Sequence, residues 1–133
     1  MKNSVTDSAE MLARGYEINP DFFTKKMQGA NHLLAPTGSD LNRYGNIGEV
    51  LAGFHYDLSF ITIHGKSRYP GLYIWLWDGT KVQVKIPEGC LLLQAAKQLE
   101  ILTGGRIFAG YHEVVVNEGT IEAIKKAKKE GRS

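Results

Sequence analysis

The triplet His55-Tyr56-Asp57, together with His112 further along the chain, supplies the side chains of a metal centre. Two imidazoles and one carboxylate are the ligand set of non-haem Fe(II) sites, in which other coordination positions stay open for oxygen and substrate. Residues two apart in a strand point to the same face, so His55 and Asp57 can reach one ion while Tyr56 points away. The pattern predicts that His55, Asp57 and His112 are both the metal ligands and the catalytic residues.

His112 must return to this site from a different strand. The sequence after residue 49 has the pattern of short strands separated by turns, which would allow this. Asp78-Gly79 is a strong hairpin signal, and Lys81–Ile86 alternates polar and apolar residues with the period of a strand. Fifteen glycines against four prolines also favour many turns. These features favour a mainly β fold, either a β-sandwich or a jelly roll. The predicted strands are Val50–Phe54, Leu58–His64, Leu72–Trp77, Lys81–Ile86, Cys90–Leu93 and Ile107–Val116, preceded by a short strand over His32–Ala35.

Helical patterns lie mainly at the two ends of the chain. A short amphipathic helix is predicted over Thr6–Arg14, and a second helix is predicted to follow a cap at Asn19. A further short helix is expected over Ala95–Leu102, and Thr120 is predicted to cap the last one. We therefore expect one domain over residues 1–133, with a helical segment at 1–30, a jelly-roll core at 31–117 and a helical tail at 118–133.

The composition narrows the classes of protein. A hydrophobic content of 43% supports a real core, and a formal charge of +2 is too small to indicate nucleic-acid or membrane binding. No apolar stretch is long enough to span a bilayer, and no signal-peptide pattern is present. The single cysteine, Cys90, cannot form an internal disulfide and is predicted to be a buried thiol, which favours a cytoplasmic location.

An ordered series of motifs from Gly53 to Val116 resembles the core of the isopenicillin-N-synthase-like Fe(II)/2-oxoglutarate-dependent oxygenases. In that family a His-x-Asp precedes a strand that contains threonine, and a distal histidine closes the series. The matching segments here are His55-Tyr56-Asp57 with Thr62, Gly71-Leu72, Asp78-Gly79, the spaced Val84, Pro87 and Gly89, Leu99-Glu100-Ile101-Leu102-Thr103-Gly104, and Tyr111-His112. The series covers about half of the chain, and its order is more specific than His-x-Asp alone.

The resemblance implies a double-stranded β-helix, which is a jelly roll, with Fe(II) held by His55, Asp57 and His112. It also implies 2-oxoglutarate as co-substrate, whose oxidative decarboxylation accompanies the oxidation of a small organic substrate by dioxygen. Both histidines must be neutral to bind a metal, and each is expected to have a partner for its other ring nitrogen.

The sequence departs from the family in two places. The distal histidine is usually followed by arginine, whereas here Glu113 follows His112. The family's Arg-x-Ser motif, which binds the distal carboxylate of 2-oxoglutarate, has no counterpart after His112. We therefore expect a fragment of a longer enzyme or a shortened family member. A jelly roll without its last strand would have an open sheet edge, so we also expect self-association along that edge or its cover by the final helix.

Simpler interpretations remain for several of these residues. His-x-Asp alone is often a surface pair, and His64 is expected to be a residue at a strand end. The basic residues Lys66, Arg68, Arg43 and Arg106 are expected to be surface charges. A non-catalytic jelly-roll module that binds a metal, a ligand or a partner is the alternative to an oxygenase. A relative that oxidises its substrate without 2-oxoglutarate is a third possibility.

Overall fold

A computed structural model describes residues 2–132 of the chain. Its internal contacts divide the chain into two compact units, one up to Thr37 and one from Gly38 onwards. The predicted single domain, with boundaries at residues 30 and 117, stays a prediction. Among the described residues, no helix has the length and apolar character needed to cross a bilayer.

The first unit contains two helices that contact each other, α1 over Lys2–Gly15 and α2 over Phe22–Met27. Ala9 and Ala13 of α1 and Phe23 of α2 are its buried apolar residues. The first helix is amphipathic as predicted, but it begins four residues before the predicted start at Thr6. The predicted cap of the second helix was wrong.

The residue at the N-cap position of α2 is Asp21, not Asn19. Asn19 Oδ1 instead accepts a hydrogen bond from the Asp21 backbone nitrogen at 3.2 Å. The asparagine side chain therefore closes a turn before the helix, which is the competing use of Asx residues.

The predicted strand over His32–Ala35 is also wrong, since residues 30–40 have no regular structure. Leu33 and Leu34 are 90% and 79% exposed. A four-residue apolar run forms a strand only where a neighbouring strand takes up its backbone hydrogen bonds, and this segment has no strand pairing.

The second unit is mainly β. Its larger sheet has four antiparallel strands in the order β1-β6-β3-β4, and β2 and β5 form a separate antiparallel pair. Every predicted strand after residue 49 corresponds to an observed strand, although most of the observed strands are shorter. The strands are β1 (Val50–His55), β2 (Ile61–His64), β3 (Leu72–Trp75), β4 (Lys81–Gln83), β5 (Leu92–Ala95) and β6 (His112–Val115).

The register between β1 and β6 contains two irregularities. Val50 pairs with Val115, Ala52 with Val114 and His55 with His112. At each step β1 uses one more residue than β6, as in a β-bulge. The regular continuation from the Ala52 pair would set Phe54 opposite His112, so the second irregularity brings His55 there instead.

Two helices complete the second unit: α3 over Lys97–Leu102 and α4 over Glu118–Lys129. Asn117, rather than the predicted Thr120, is the N-cap of α4. Asn117 Oδ1 accepts from the Thr120 backbone nitrogen at 2.9 Å, and Thr120 Oγ1 accepts from the Asn117 backbone nitrogen at 3.0 Å. Thr120 is therefore the second member of a capping box.

Cys90 is exposed, which corrects the prediction of a buried thiol. It follows Gly89 in a turn, where its backbone nitrogen donates to Pro87 O at 3.2 Å, and β5 begins only at Leu92. The apolar run therefore enters the sheet two residues later than predicted. Self-association along an open sheet edge stays a prediction.

Candidate metal centre

His55, Asp57 and His112 converge in the second unit. One potential ligand atom from each of the three residues lies within 4.8 Å of the others. Asp57 Oδ1 is 3.7 Å from His55 Nε2 and 4.0 Å from His112 Nε2. Among the described residues, this is the one group of histidine, cysteine and acidic side chains with such a geometry.

The two histidines approach because they are opposite each other on β1 and β6. Directly paired residues of antiparallel strands have side chains on the same face, and the two ring centroids are 4.2 Å apart. The adjacent residues Tyr56 and Tyr111 contact each other edge to face, with centroids 5.0 Å apart. Residues that flank the ligands in sequence therefore form a separate contact, as strand alternation requires.

Asp57 lies beyond the end of β1, in a segment that is held by backbone hydrogen bonds to the start of α3. Its carbonyl accepts from the Lys97 nitrogen at 2.8 Å, and the Ser59 and Phe60 carbonyls accept from Gln98 and Ala96. These bonds fix the path of the chain after the strand. The carboxylate consequently faces the imidazoles although its residue has no partner in the larger sheet.

Each imidazole has a carbonyl beside the nitrogen that faces away from Asp57. His55 Nδ1 is 2.6 Å from Gly53 O, and His112 Nδ1 is 3.1 Å from Gly110 O. Both acceptors come from the residue two positions earlier in the chain. A proton on Nδ1 leaves a lone pair on Nε2 for a metal, which is the usual role of such partners.

The three side chains differ in exposure. The His112 side chain is 5% exposed, against 25% for Asp57 and 45% for His55. Burial lowers the pKa of His112 from 6.5, and the neighbouring His55 and His64 act in the same direction, whereas Gly110 O and Asp57 oppose the shift. Burial of the ring therefore favours the neutral form that a metal ligand needs.

The donor set and its spacing fit a divalent transition metal. Nitrogen and oxygen ligands lie about 2.0–2.2 Å from such an ion, so two neighbouring ligands of an octahedron are about 3 Å apart. The observed separations of 3.7 and 4.0 Å need only a small inward movement of side chains. Two imidazoles and one carboxylate match the facial triad of non-haem Fe(II) sites, which keeps positions open.

Sequence reasoning missed Gln94 and assigned His64 no role beyond ending a strand. Gln94 is 7% exposed and contacts both His112 and His64, at 2.8 Å each. The one available signal was an amide within the apolar run of Leu91, Leu92 and Leu93, because a buried polar side chain needs partners. Its particular partners could not be read from the sequence.

The four basic residues that could have bound a carboxylate lie on the surface. Lys66, Arg68, Arg43 and Arg106 are all exposed, as predicted. Glu113 follows His112, where the resembled family usually has arginine. It forms an ion pair with Lys81 of β4. Glu113 therefore has a cationic partner of its own and is not a fourth residue of the cluster.

No family model and no curated protein matches the chain. Among solved structures, a candidate oxygenase from Shewanella oneidensis has 26% identity and a TM-score of 0.51, covering 63% of this chain and 29% of that one. A 2OG-Fe(II) oxygenase family protein from Caulobacter crescentus has 28% identity and a TM-score of 0.61, covering 85% and 37%.

A third structure is a full-length Neurospora crassa protein in complex with alpha-KG (2-oxoglutarate) and 5-formyluracil. It has 18% identity and a TM-score of 0.65, and covers 88% of this chain and 39% of that one. The chain thus spans less than half of the length of each of these three proteins.

These similarities confirm the predicted mainly β, double-stranded β-helix (jelly-roll) fold. The Caulobacter crescentus neighbour is described as a 2OG-Fe(II) oxygenase family protein, and none of the three neighbours narrows the resemblance to the isopenicillin-N-synthase-like subfamily. The chain therefore has the fold of the 2OG-Fe(II) oxygenases and carries a His-Asp-His cluster that is suited to a metal ion.

Proposed function

We propose that this chain is the iron-bearing part of an Fe(II)- and 2-oxoglutarate-dependent oxygenase. One observation carries the proposal: His55, Asp57 and His112 converge within a fold shared with 2OG-Fe(II) oxygenases. The expected reaction is the oxidation of a small organic substrate by dioxygen, coupled to oxidative decarboxylation of 2-oxoglutarate. The resemblance to the isopenicillin-N-synthase-like subfamily is part of this proposal.

In the proposed enzyme, His55 Nε2, His112 Nε2 and the Asp57 carboxylate hold Fe(II). When bound, the iron supplies the activation of dioxygen that no side chain can supply. The three side chains leave part of the coordination sphere free for 2-oxoglutarate and oxygen. The Gly53 and Gly110 carbonyls orient the two rings through their Nδ1 atoms.

The burial of His112 contributes to this role in a second way. A nearly fully buried ring limits water at one side of the centre, which strengthens electrostatic interactions there. His55 is the more exposed ligand, so we place the entry of co-substrate and substrate on its side. We propose a small organic molecule as substrate, since a neighbour binds 5-formyluracil in its crystal structure.

A non-catalytic jelly-roll module is the second candidate function. No Arg-x-Ser motif follows His112 in the sequence, and in the family that the chain resembles this motif binds the distal carboxylate of 2-oxoglutarate. Such a module would bind a metal through the same three ligands without turnover. The two functions make the same prediction for metal binding and opposite predictions for succinate.

The deciding experiment measures succinate formation from 2-oxoglutarate with Fe(II), in the given chain and in a version extended beyond Ser133. We expect iron-dependent succinate that is lost in His55→Ala and kept in His32→Ala, an exposed histidine of the first unit. Metal binding without succinate in both versions would instead establish the module. Oxygen consumption without succinate would establish a relative that does not use 2-oxoglutarate.

A further inference from the structure

Gln94 of β5 connects two histidines through a buried side-chain amide. Gln94 Oε1 is 2.8 Å from His64 Nε2, while Gln94 Nε2 is 2.6 Å from Gly110 O and 2.8 Å from His112 Nδ1. All three partners are within hydrogen-bond distance, and the residue is 7% exposed. A buried amide with this many partners has a defined orientation, because each unpaired polar atom would cost free energy.

The Gly110 carbonyl determines that orientation. A carbonyl oxygen only accepts hydrogen bonds, so the amide atom that lies 2.6 Å from it must be the NH2 group. The amide oxygen then faces His64, whose Nε2 must carry a proton to donate to it. The second N–H of Gln94 is left to point at His112 Nδ1.

We propose that, in the metal-free protein, Gln94 holds neutral His112 in the tautomer that carries its proton on Nε2, so that metal binding must reverse this tautomer. With Nδ1 unprotonated, the second N–H of Gln94 has an acceptor at 2.8 Å. With Nδ1 protonated, Gln94 Nε2 and His112 Nδ1 are two donors that face each other. Gln94 is thus a positioning residue, and its relevance to catalysis rests on the proposed function.

His55 provides the contrast. Its Nδ1 lies 2.6 Å from Gly53 O, which can only accept, so its proton belongs on Nδ1 and its Nε2 lone pair is free. One ring of the candidate centre is therefore ready for a metal, while the other must first change its tautomer. The asymmetry comes from Gln94, because both rings have an equivalent carbonyl two residues earlier.

The exchange is balanced in protons. The proton on His112 Nε2 leaves to solvent as the metal takes that lone pair, and Nδ1 takes up a proton from solvent. That Nδ1–H then donates to Gly110 O, which is 3.1 Å away and has a second lone pair for it. The hydrogen bond from Gln94 is lost and one to Gly110 O is gained, so the cost lies in a Gln94 N–H that now faces another donor. That cost corresponds to about a threefold to tenfold lower metal affinity.

The direct test is nitrogen NMR of the imidazoles in the metal-free chain at about pH 8, where neutral rings dominate. We expect His112 to carry its proton on Nε2 and His55 to carry its proton on Nδ1. Addition of Zn²⁺ as a diamagnetic probe is expected to move the His112 proton to Nδ1. A metal-free His112 that is already protonated on Nδ1 would overturn the proposal, whatever the protein does with iron.

Gln94→Met removes the amide at similar length, and Gln94→Leu is a second variant in case the first does not fold. Either variant is expected to shift metal-free His112 to the Nδ1–H tautomer and to tighten Co²⁺ binding about threefold to tenfold. Gln83→Met on β4, which β3 separates from β6 in the sheet, is the matched control and should change neither quantity.

Weaker Co²⁺ binding in the Gln94 variants, with an unchanged tautomer, would mean that Gln94 only supports the ring, and it would overturn the proposal. Failure of the proposed function gives a different result. In that case the unchanged protein would not bind Co²⁺ or Fe²⁺ at all, while the tautomers of the metal-free chain could still be read.

Discussion

His55 and His112 face each other across two antiparallel strands, with ring centroids 4.2 Å apart and the Asp57 carboxylate beside both rings. A metal ion between the two rings and the carboxylate would bring three ligands together from two strands and the segment that follows β1. The position of Asp57 therefore matters as much to the cluster as the pairing of the two histidines.

Asp57→Ala should abolish metal binding at the candidate centre. It removes the one carboxylate of the cluster, and substitutions of residues that merely support metal ligands already cost about 10- to 100-fold in affinity. We expect Co²⁺ affinity to fall by more than about 100-fold, measured by titration of the visible absorption of bound Co²⁺. Asp7→Ala, an exposed aspartate on α1, is the control and should bind as the unchanged protein does.

Acid should destabilise the metal-free protein through His112. Because burial lowers the pKa of His112 below 6.5 in the folded state, the unfolded chain binds a proton more readily at acidic pH. His112 therefore costs the folded state no stability above pH 6.5. As the pH falls from 6.5 through the folded-state pKa, the free energy of unfolding decreases, with a slope below about 1.4 kcal/mol per pH unit.

Urea unfolding at a series of pH values from 8 to 5 measures this dependence. In His112→Gln the free energy of unfolding should fall less steeply over the same range. Parallel curves for the two proteins would show that His112 does not contribute to the acid sensitivity.

Asn117→Ala should weaken the start of α4. The Asn117 side chain accepts from the Thr120 backbone nitrogen and donates to the Tyr73 hydroxyl at 3.0 Å. Loss of an N-cap side chain typically costs about 0.5–2 kcal/mol, and we expect a value in the upper half of that range. Chemical denaturation gives the difference, and Asn117→Asp, which keeps the capping oxygen, should recover most of the lost stability.

Gly71→Ala should be strongly destabilising. Gly71 has φ +142°, and an added Cβ would lie 2.5 Å from the Val115 carbonyl oxygen. Strained backbone conformations of this kind cost about 1–3 kcal/mol before any steric clash is counted. Thermal unfolding should show a clear loss for this variant. Gly53→Ala is the control: its Cβ would meet nothing within 4 Å, so a comparable loss there would contradict this explanation.

The sequence predicted most of the second unit because its strands carry strong local signals. The Asp78-Gly79 turn and the alternation after it lead to the antiparallel pair β3–β4, with Gly79 at φ +83°. His55 and Asp57 do lie close together, but Asp57 lies beyond β1 and is positioned by backbone hydrogen bonds to the start of α3, which strand alternation did not predict. Their approach to His112 was a prediction from ligand chemistry, and the geometry now places all three together.

Other features depend on partners that a sequence does not display. The register shifts between β1 and β6 exist only between two strands, so no local pattern reports them. Asn117 and Thr120 are both good capping residues, and the choice between them depends on where the last strand ends. The apolar run at 33–34 is exposed because no neighbouring strand is available, which hydrophobicity alone cannot show.

The irregular pairing of β1 with β6 has a consequence for how this protein tolerates insertions and deletions. Removing one of the two residues between Ala52 and His55 would restore even pairing, and His55 would still lie across from His112. If the strands instead paired evenly from Ala52 onwards at unchanged chain length, the aromatic side chain of Phe54 would lie across from His112, and the cluster would be dismantled. This stretch should therefore tolerate the loss of one residue better than a slip of the strand pairing that changes no residue at all.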